Sequence, residues 1–199
     1  MLLKEGFDVI GMDTDLYRYC TYGEPPIDVP SLDKDVRDIT TDDLKGFGAV
    51  VHLAALSNDP LGNINPDLTY DINYHASVRT AEAARSAGVQ RFIFASSCSM
   101  YGKAGDDELD ETAEFNPVTP YAKSKVYVER DVAEMATDSF SPVFMRNATA
   151  YGVSPRIRFD LVINNLVAWA LTTGRILMKS DGTPWRPLVH IEDICQAVI

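Results

Sequence analysis

Residues 91–97, RFIFASS, and residues 119–136, TPYAKSKVYVERDVAEMA, decide the fold of this chain. The first stretch is an apolar run of strand length that ends in serines. The second has apolar residues at helical spacing and enters its helix just after Pro120. A buried strand followed by an amphipathic helix is the repeating unit of a parallel sheet covered by helices.

The same alternation continues on both sides of this unit. Strand-like apolar runs occupy residues 7–13, 49–55 and 142–148, and residues 68–89 have helical spacing that stops at Gly88. We therefore predict an α/β fold with a doubly wound parallel sheet, similar to a Rossmann fold.

Two stretches differ from this alternation. Residues 14–38 are rich in Pro, Asp and Gly and are predicted to form a loop with a short strand at 35–38. After Gly152 the predicted elements are a helix at 159–174, strand-like segments at 176–179 and 186–191, and a helix start at 192–199. We expect a dinucleotide-binding domain over 1–152. Over 153–199 we expect the start of a smaller C-terminal substrate-binding region that returns to the Rossmann core near 186–199.

The composition excludes several classes of function. With 18 Lys and Arg against 29 Asp and Glu, the formal charge is -11, so nucleic acid and anionic membranes are not expected partners. The three cysteines are far apart and form no CxxC pair, so neither a disulfide framework nor a metal site is predicted. The N-terminus lacks the pattern of a signal peptide, and no apolar stretch is long enough to span a membrane. We expect a soluble cytoplasmic protein.

A tyrosine and a lysine at the start of the predicted helix suggest proton chemistry. Tyr121 and Lys125 are four residues apart, which places both side chains on one helical face. A cation beside a phenol, whose ordinary pKa is about 10, favours the phenolate and so allows proton exchange nearer neutral pH. Ser97, at the end of the preceding strand, is predicted to hold the substrate oxygen.

Polar residues also close the other predicted strands, where parallel sheets bind ligands. Asp13 ends the strand at 7–13, and an acid there accepts hydrogen bonds from adenosine ribose hydroxyls and repels a 2′-phosphate. It therefore favours NAD over NADP, with an ordinary turn or helix cap as the alternative. Arg146 ends the strand at 142–148 and either binds an anionic substrate or anchors the strand end through a carboxylate.

Taken together, the motifs resemble those of the extended short-chain dehydrogenase/reductases of the NAD-dependent epimerase/dehydratase family, which act on nucleotide-sugars. The resemblance rests on a collinear set that spans almost the whole chain: FDVIGMD, DVRD, AVVHLAA, INYHAS, ASSCSMYG, PYAKSK, MRNATAYG and DGTPWRPLVHIED. It implies NAD as cofactor, a nucleotide-sugar as substrate, and a homodimer through helices of the Rossmann domain.

The resemblance also implies a role for individual residues. Ser97, Tyr121 and Lys125 are the implied catalytic residues. Tyr121 and Lys125 are also implied cofactor-binding residues, with Lys125 at the nicotinamide ribose. The other implied cofactor-binding residues are Asp13 at the ribose, Asp35 and Val36 at the adenine, Leu53, Ala54 and Ala55 beneath the cofactor, and Asn73 behind the nicotinamide. The implied substrate-binding residues are Ser97, Thr149, Asn164 and Arg186, of which Arg186 meets the diphosphate.

The chain departs from the family pattern in three places. The first strand and its glycine-rich loop are missing, and both chain ends fall inside predicted helices, so we expect a chain truncated at both ends. Cys98 and Ser99 occupy the positions where dehydratases carry an acid pair or a glutamate. Thr149 replaces the family asparagine that contacts the nucleotide-sugar, a role that Asn147 or the pair Asn164 and Asn165 could take over.

We therefore expect an epimerase that transiently oxidises a sugar hydroxyl to a ketone. A decarboxylase, a 4-ketoreductase or a dehydratase of the same family are the alternatives. A catalytically inactive dinucleotide-fold sensor or scaffold is the alternative from another class. The acidic run at 105–111 is predicted to be a solvated loop, with a lid over the site as the alternative.

Overall fold

A computed structural model describes residues 1–23, 29–57, 59–102, 108–178, 180–183 and 185–199, without the side chains of residues 59–61. The chain divides into two compact units, and each is described by itself. The central unit is Asp33–Arg146, and the split unit combines Met1–Leu32 with Asn147–Ile199. The boundary predicted after Gly152 separates a dinucleotide-binding region from a substrate-binding region. The two compact units do not test that boundary, so it stays a prediction.

The described residues form short strands and helices in alternation. The strands are β1 (Gly11–Asp13), β2 (Ser31–Asp33), β3 (Ala49–His52), β4 (Arg91–Ser97), β5 (Ser141–Asn147), β6 (Thr149–Tyr151) and β7 (Leu188–His190). The α-helices are α1 (Asp59–Ile64), α2 (Pro66–Tyr70), α3 (Ala76–Ser86), α4 (Pro120–Ala133), α5 (Val162–Thr173) and α6 (Ile191–Ala197). Short 3₁₀ turns cover Leu2–Glu5, Val36–Asp38, Thr41–Leu44 and Cys98–Tyr101, and a π-helical turn covers Asp71–His75.

The sheet of the central unit has the strand order β3-β4-β5. Strands β3 and β4 are parallel, with a register that runs from Ala49 opposite Arg91 to His52 opposite Phe94. A parallel pair needs a long crossover, and the helical segment between the two strands provides it. The carboxyl ends of β3 and β4 therefore lie at the same edge of the sheet.

The core of the central unit lies between this sheet and two helices. Alternate residues of β4 are buried, as the two-residue period of a strand requires. Their aromatic rings pack against small residues of α3 and β-branched residues of α4 in one apolar cluster, whose members include Phe92, Phe94, Ala81, Ala84, Val128 and Val132. Burial of this apolar surface is the main force that holds α3 and α4 on the sheet.

The ends of the two long helices follow local chemistry. Helix α4 begins at Pro120, and the Thr119 hydroxyl accepts a hydrogen bond of 3.1 Å from the N–H of Ala122. Helix α3 ends just before Gly88, whose φ of 83° is the left-handed conformation that favours glycine. The predicted helix start at Pro120, the stop at Gly88 and the strand at 91–97 are confirmed.

Other predicted elements need correction. Residues 36–38 form a 3₁₀ turn and not a strand, because the Asp35 carboxylate caps the N–H of Arg37 and so stabilises a turn. The neighbouring strand is Ser31–Asp33. Residues 176–178 belong to no strand, none of the described strands pairs with them, and all three residues are exposed. Lys179 lies outside the described residues. The strand predicted at 49–55 ends at His52.

The split unit contains its own small sheets. Strands β6 and β7 are parallel, with Ala150 opposite Val189, and β1 pairs with β2. Helix α5 ends at Gly174, and the His190 ring caps the start of α6.

Residues 105–107 of the acidic run lie outside the described part of the chain. Throughout the ranges given above, no helix is both long and apolar enough to cross a lipid bilayer.

Candidate active site

Lys125 is a buried ammonium at the end of β4. Helix α4 carries it against the sheet, where its side chain is 2% exposed. Its Nζ donates a hydrogen bond of 2.6 Å to the carbonyl oxygen of Ala95. The same atom lies 4.3 Å from the ring centre of Phe94 and 5.6 Å from the ring centre of Tyr121. The structure therefore brings Tyr121 and Lys125 together on the face of α4 that meets the strand end.

Burial changes the acid–base properties of this lysine. Removal of water from around the ammonium lowers the pKa of Lys125 to about 7, while the negative charge of Glu129 acts in the opposite direction. On β3, burial lowers the pKa of His52 to about 3, and the nearby Lys125 charge lowers it further. Lys125 can therefore exchange its proton near neutral pH, whereas His52 stays neutral.

Ser97 is the last residue of β4, where the strand turns into the 3₁₀ turn Cys98–Tyr101. Its Oγ accepts a hydrogen bond of 3.2 Å from the N–H of Ser99. A hydroxyl has one hydrogen and two acceptor lone pairs, so this contact leaves the hydrogen of Ser97 available to a ligand oxygen. The Oγ of Ser99 is buried and has no hydrogen-bond partner within the described part of the chain.

Asn73 is a buried amide that holds the loop after β3. Its Oδ1 accepts from the N–H of Leu56 at 2.7 Å, and its Nδ2 donates to the Leu56 carbonyl at 3.0 Å. It lies in the π-helical turn Asp71–His75, a type of distortion that is frequent at functional sites. The amide therefore positions the loop at the sheet edge through its main chain.

A chain of hydrogen bonds that begins at His52 stabilises the π-helical turn. The Ser77 hydroxyl donates to the Asn73 carbonyl at 2.7 Å, and Nε2 of His52 lies 2.8 Å from the same hydroxyl. Because the single hydroxyl hydrogen is already donated, Nε2 of His52 carries a proton and donates it to Ser77. The His52 ring also stacks with the rings of Phe92 and Phe94, which makes it a core residue.

The remaining cofactor residues of the central unit differ in exposure. Leu53 and Ala54 are exposed just beyond β3, and Ala55 is partly buried. Val36 is buried, and the neighbouring Asp35 carboxylate binds the guanidinium of Arg37 at 2.8 Å. This hydrogen bond holds the pKa of Asp35 below its usual range.

An ion pair between a buried carboxylate and a partly buried guanidinium, which the sequence analysis did not predict, lies beside Lys125. The Glu129 carboxylate accepts hydrogen bonds from Nε and Nη2 of Arg146, with a shortest distance of 2.8 Å, and from the Ser96 hydroxyl at 2.5 Å. Of the two alternatives for Arg146, the structure shows the anchoring of a strand end. The sequence signal for Glu129 was its spacing, four residues after Lys125.

The split unit holds the other four predicted site residues. Asp13 is exposed at the end of β1, and its Oδ1 accepts from the N–H of Asp15 at 2.7 Å. Thr149 begins β6, and Arg186 is exposed shortly before β7. On α5, the amide nitrogen of Asn164 donates to the Arg158 carbonyl at 3.0 Å.

The comparison with known families decides the class of protein. A model of the NAD dependent epimerase/dehydratase family matches residues 1–199. The chain belongs to that family. Membership confirms the resemblance inferred from the motifs and the Rossmann-like α/β fold, and it makes the chain part of a family of NAD-dependent enzymes.

Individual members of the epimerase/dehydratase family differ in the reaction that they carry out. A UDP-glucose 4-epimerase of Streptomyces lividans is 34% identical over 163 residues, which are 76% of this chain and 50% of that protein. The structure of TunA, an NAD-dependent NDP-hexosamine 5,6-dehydratase of tunicamycin biosynthesis, has a TM-score of 0.85 at 26% identity. That of MoeE5 in complex with UDP-glucose and NAD has a TM-score of 0.81 at 30% identity. Both matches cover 99% of this chain and 64% of the other.

The chain spans about half the length of the curated relatives it matches. Its own residues nevertheless fit the dinucleotide on which the family depends. An ammonium has three hydrogens, and the Ala95 carbonyl takes one from Lys125, which leaves donors for ribose hydroxyls. Beyond β3, the methyl side chains of Ala54 and Ala55 leave the main chain accessible to a flat ligand.

Proposed function

We propose that the complete protein is an NAD-dependent nucleotide-sugar epimerase, which transiently oxidises a sugar hydroxyl to a ketone. The observation that carries the proposal is the pair formed by Tyr121 and Lys125 on one face of α4, at the strand end occupied by Ser97. Such a pair provides a proton acceptor, a cation that stabilises the phenolate, and a hydroxyl that holds the substrate oxygen.

In this proposal the cofactor is held by residues at several strand ends. Lys125 donates to the nicotinamide ribose, Asn73 supports the loop behind the nicotinamide, and the main chain of residues 53–55 lies beneath the dinucleotide. Asp35 and Val36 flank the adenine, and Asp13 accepts from the ribose hydroxyls of the adenosine. When bound, NAD supplies a hydride acceptor that can later return the hydride.

The protein residues move and hold the proton. Tyr121 takes the proton from the sugar hydroxyl, because the adjacent Lys125 ammonium favours the phenolate. Ser97 donates its hydroxyl hydrogen to the same sugar oxygen, since its contact with the N–H of Ser99 uses only a lone pair of the oxygen and leaves that hydrogen available. When the ketone is reduced on the opposite face, Tyr121 returns the proton to the oxygen.

We propose that the substrate diphosphate and nucleotide are bound by residues of the split unit. Arg186 is exposed and offers a charged, bidentate donor for phosphate oxygens. Asn164 uses its amide nitrogen within the protein, and its Oδ1 is the acceptor that it can offer to the nucleotide-sugar. Thr149 offers a hydroxyl where other family members have an amide.

The identity of residues 98 and 99 favours epimerisation over dehydration. Elimination of water needs an acid to protonate the leaving hydroxyl and a base to remove the neighbouring proton. Cys98 and Ser99 are poor substitutes for both, and the Ser99 hydroxyl is buried. A decarboxylase and a 4-ketoreductase would use the same Ser97, Tyr121 and Lys125, so the products must separate these alternatives.

The test is product analysis with the complete protein. The protein is incubated with NAD and a panel of UDP- and dTDP-sugars in D₂O, and the products are identified by NMR. An epimerase gives a sugar inverted at one carbon without deuterium at its neighbour, whereas a dehydratase gives a deuterated 4-keto-6-deoxy sugar. Loss of CO₂ from a glucuronate substrate would identify a decarboxylase. Binding of NAD without any turnover would support the sensor alternative.

Matched tyrosine variants test the proton relay. Tyr121→Phe keeps the ring and removes the phenol, and it is expected to lower kcat by about 10²–10⁴-fold. Tyr127→Phe is the control, because Tyr127 lies on the same helix and packs against Tyr70 and Tyr74. Equal activity of the Tyr121→Phe variant and the parent protein would refute the relay.

We also propose a cytoplasmic homodimer formed through the helices of the Rossmann domain. Cys20, Cys98 and Cys195 form no disulfide within the described part of the chain, which fits a reducing compartment. The partly exposed Tyr127 on α4 and the neighbouring Tyr70 on α2 form an aromatic surface suited to an interface. Tyr127→Glu is expected to convert a dimer to a monomer in size-exclusion chromatography with light scattering, whereas an unchanged mass would exclude this surface.

A further inference from the structure

Two buried side chains of α4 contact neighbouring residues at the end of β4. Lys125 donates to the carbonyl oxygen of Ala95, and Glu129 accepts from the hydroxyl of Ser96 at 2.5 Å. The next residue of the strand is Ser97. Because the two contacts are one helical turn apart, they fix both the position of α4 along its axis and its rotation about that axis relative to the strand end.

Arg146 extends this arrangement to the far side of Ser97. Besides its three hydrogen bonds to Glu129, it donates through Nη1 to the Tyr101 hydroxyl at 2.8 Å and to the Glu111 carbonyl at 2.8 Å. Tyr101 closes the 3₁₀ turn that follows Ser97. The residues before and after the serine are therefore both tied to one ion pair, whose carboxylate is 7% exposed and whose guanidinium is 19% exposed.

We propose that Glu129, held by Arg146, is a positioning residue of the active site. It fixes the face of α4 that carries Tyr121 and Lys125 against the turn that carries Ser97, and it keeps Lys125 charged. The inference rests on the proposed function, since it assigns Glu129 a part in that proton relay. Glu129 acts through Lys125 and Ser96 and is not proposed to contact substrate or cofactor.

The charges around Lys125 support this role. Burial removes the solvent that normally stabilises an ammonium, and Glu129 is the group that opposes this effect. The other titratable or charged groups that face this region are Tyr121 on the same helix, His52 on β3, and Arg146 on β5, which is neutralised by Glu129. Among these described neighbours, only Glu129 brings a negative charge at neutral pH.

The test compares Glu129→Gln with Glu134→Gln in the complete protein. Glu134 is an exposed carboxylate at the end of the same helix and controls for the loss of one charge. The probe is ¹³C-lysine NMR, in which the Lys125 resonance is assigned by its absence in Lys125→Met. We expect the Lys125 titration midpoint to fall by at least about one pH unit in Glu129→Gln and to stay in place in Glu134→Gln. A shift of that size lowers the charged fraction above the midpoint about tenfold, so the kcat profile should move to lower pH with little change in KM.

A double variant separates positioning from simple loss of structure. Glu129→Gln alone leaves a partly buried, unpaired arginine, which destabilises a fold. Glu129→Gln/Arg146→Met removes both charges and is expected to regain thermal stability while the Lys125 midpoint stays low. An unchanged Lys125 midpoint in either folded variant would overturn the inference. The proposed function would fail separately if the parent protein were inactive on every nucleotide-sugar. If the Lys125 titration midpoint still depended on Glu129 in that case, the positioning contact would remain supported.

Discussion

The ammonium of Lys125 and the carbonyl oxygen of Ala95 are joined by a hydrogen bond of 2.6 Å in the interior of the central unit. A lysine in such a place lowers stability, because its charged form loses the solvation that it has in the unfolded chain. The position of Lys125 therefore reflects a requirement other than folding.

The first prediction concerns stability as a function of pH. The pKa of Lys125 falls to about 7 in the folded protein, from an ordinary value of 10.5. The lysine is therefore most destabilising below pH 7, and the penalty is relieved as the pH rises from 7 towards the unfolded value. Lys125→Met should increase the free energy of unfolding by about 1–4 kcal/mol at pH 7.

The measurement is urea unfolding of both proteins between pH 6 and pH 10. The difference in free energy of unfolding between Lys125→Met and the parent protein should become smaller as the pH rises. Lys123→Met, at a partly exposed position two residues earlier, is the matched control and should behave like the parent protein. A difference that is constant across this range would contradict the assigned titration of Lys125.

The second prediction concerns the amide that holds the loop after β3. Asn73→Ala removes both hydrogen bonds to Leu56 and is expected to lower the free energy of unfolding by about 1–3 kcal/mol. Hydrogen exchange of the Leu56 amide should accelerate in this variant. Asn65→Ala, which removes a helix cap on α2, should lower stability by about 1 kcal/mol without a local change at Leu56.

The third prediction concerns the glycine that follows the Ser97 turn. Gly102 has a φ of 66°, and an added Cβ would lie 2.0 Å from the backbone oxygen of Asn116. Gly102→Ala should therefore destabilise the protein by about 3–4 kcal/mol. At Gly88, with a φ of 83° and open space around it, the same change should cause a loss of about 1 kcal/mol. Equal midpoints of thermal unfolding for the two variants would show that the backbone contact is unimportant.

The fourth prediction concerns cofactor choice. Asp13→Asn removes the charge that repels a 2′-phosphate, so the preference for NAD over NADP should fall by about tenfold or more in the complete protein. Isothermal titration calorimetry with both dinucleotides measures this ratio. Asp8→Asn, an exposed change near the same strand, should leave the ratio unaltered. An unchanged ratio in Asp13→Asn would place the selective contact elsewhere.

The sequence was most informative where a local pattern was clear. The apolar run RFIFASS predicted β4 with its observed bounds, and the i, i+4 spacing predicted that Tyr121 and Lys125 share a face. The turn at residues 36–38 was missed because a single side-chain cap, that of Asp35, outweighs the extended tendency of its neighbours. The pairing of Glu129 with Arg146 depends on the contact between a helix and a strand, which local spacing does not encode.

The π-helical turn Asp71–His75 has a consequence for helical phase. In a regular α-helix each residue advances by about 100°, so the additional residue accommodated by a π turn resets the orientation of every side chain that follows. Upstream of the turn, the Thr69 hydroxyl donates a hydrogen bond to the Gly62 carbonyl oxygen. Downstream of it, Ala81 and Ala84 face the sheet. Deletion of a single residue from this turn would rotate one of these two faces out of alignment, so the segment should tolerate substitution far better than a change in length.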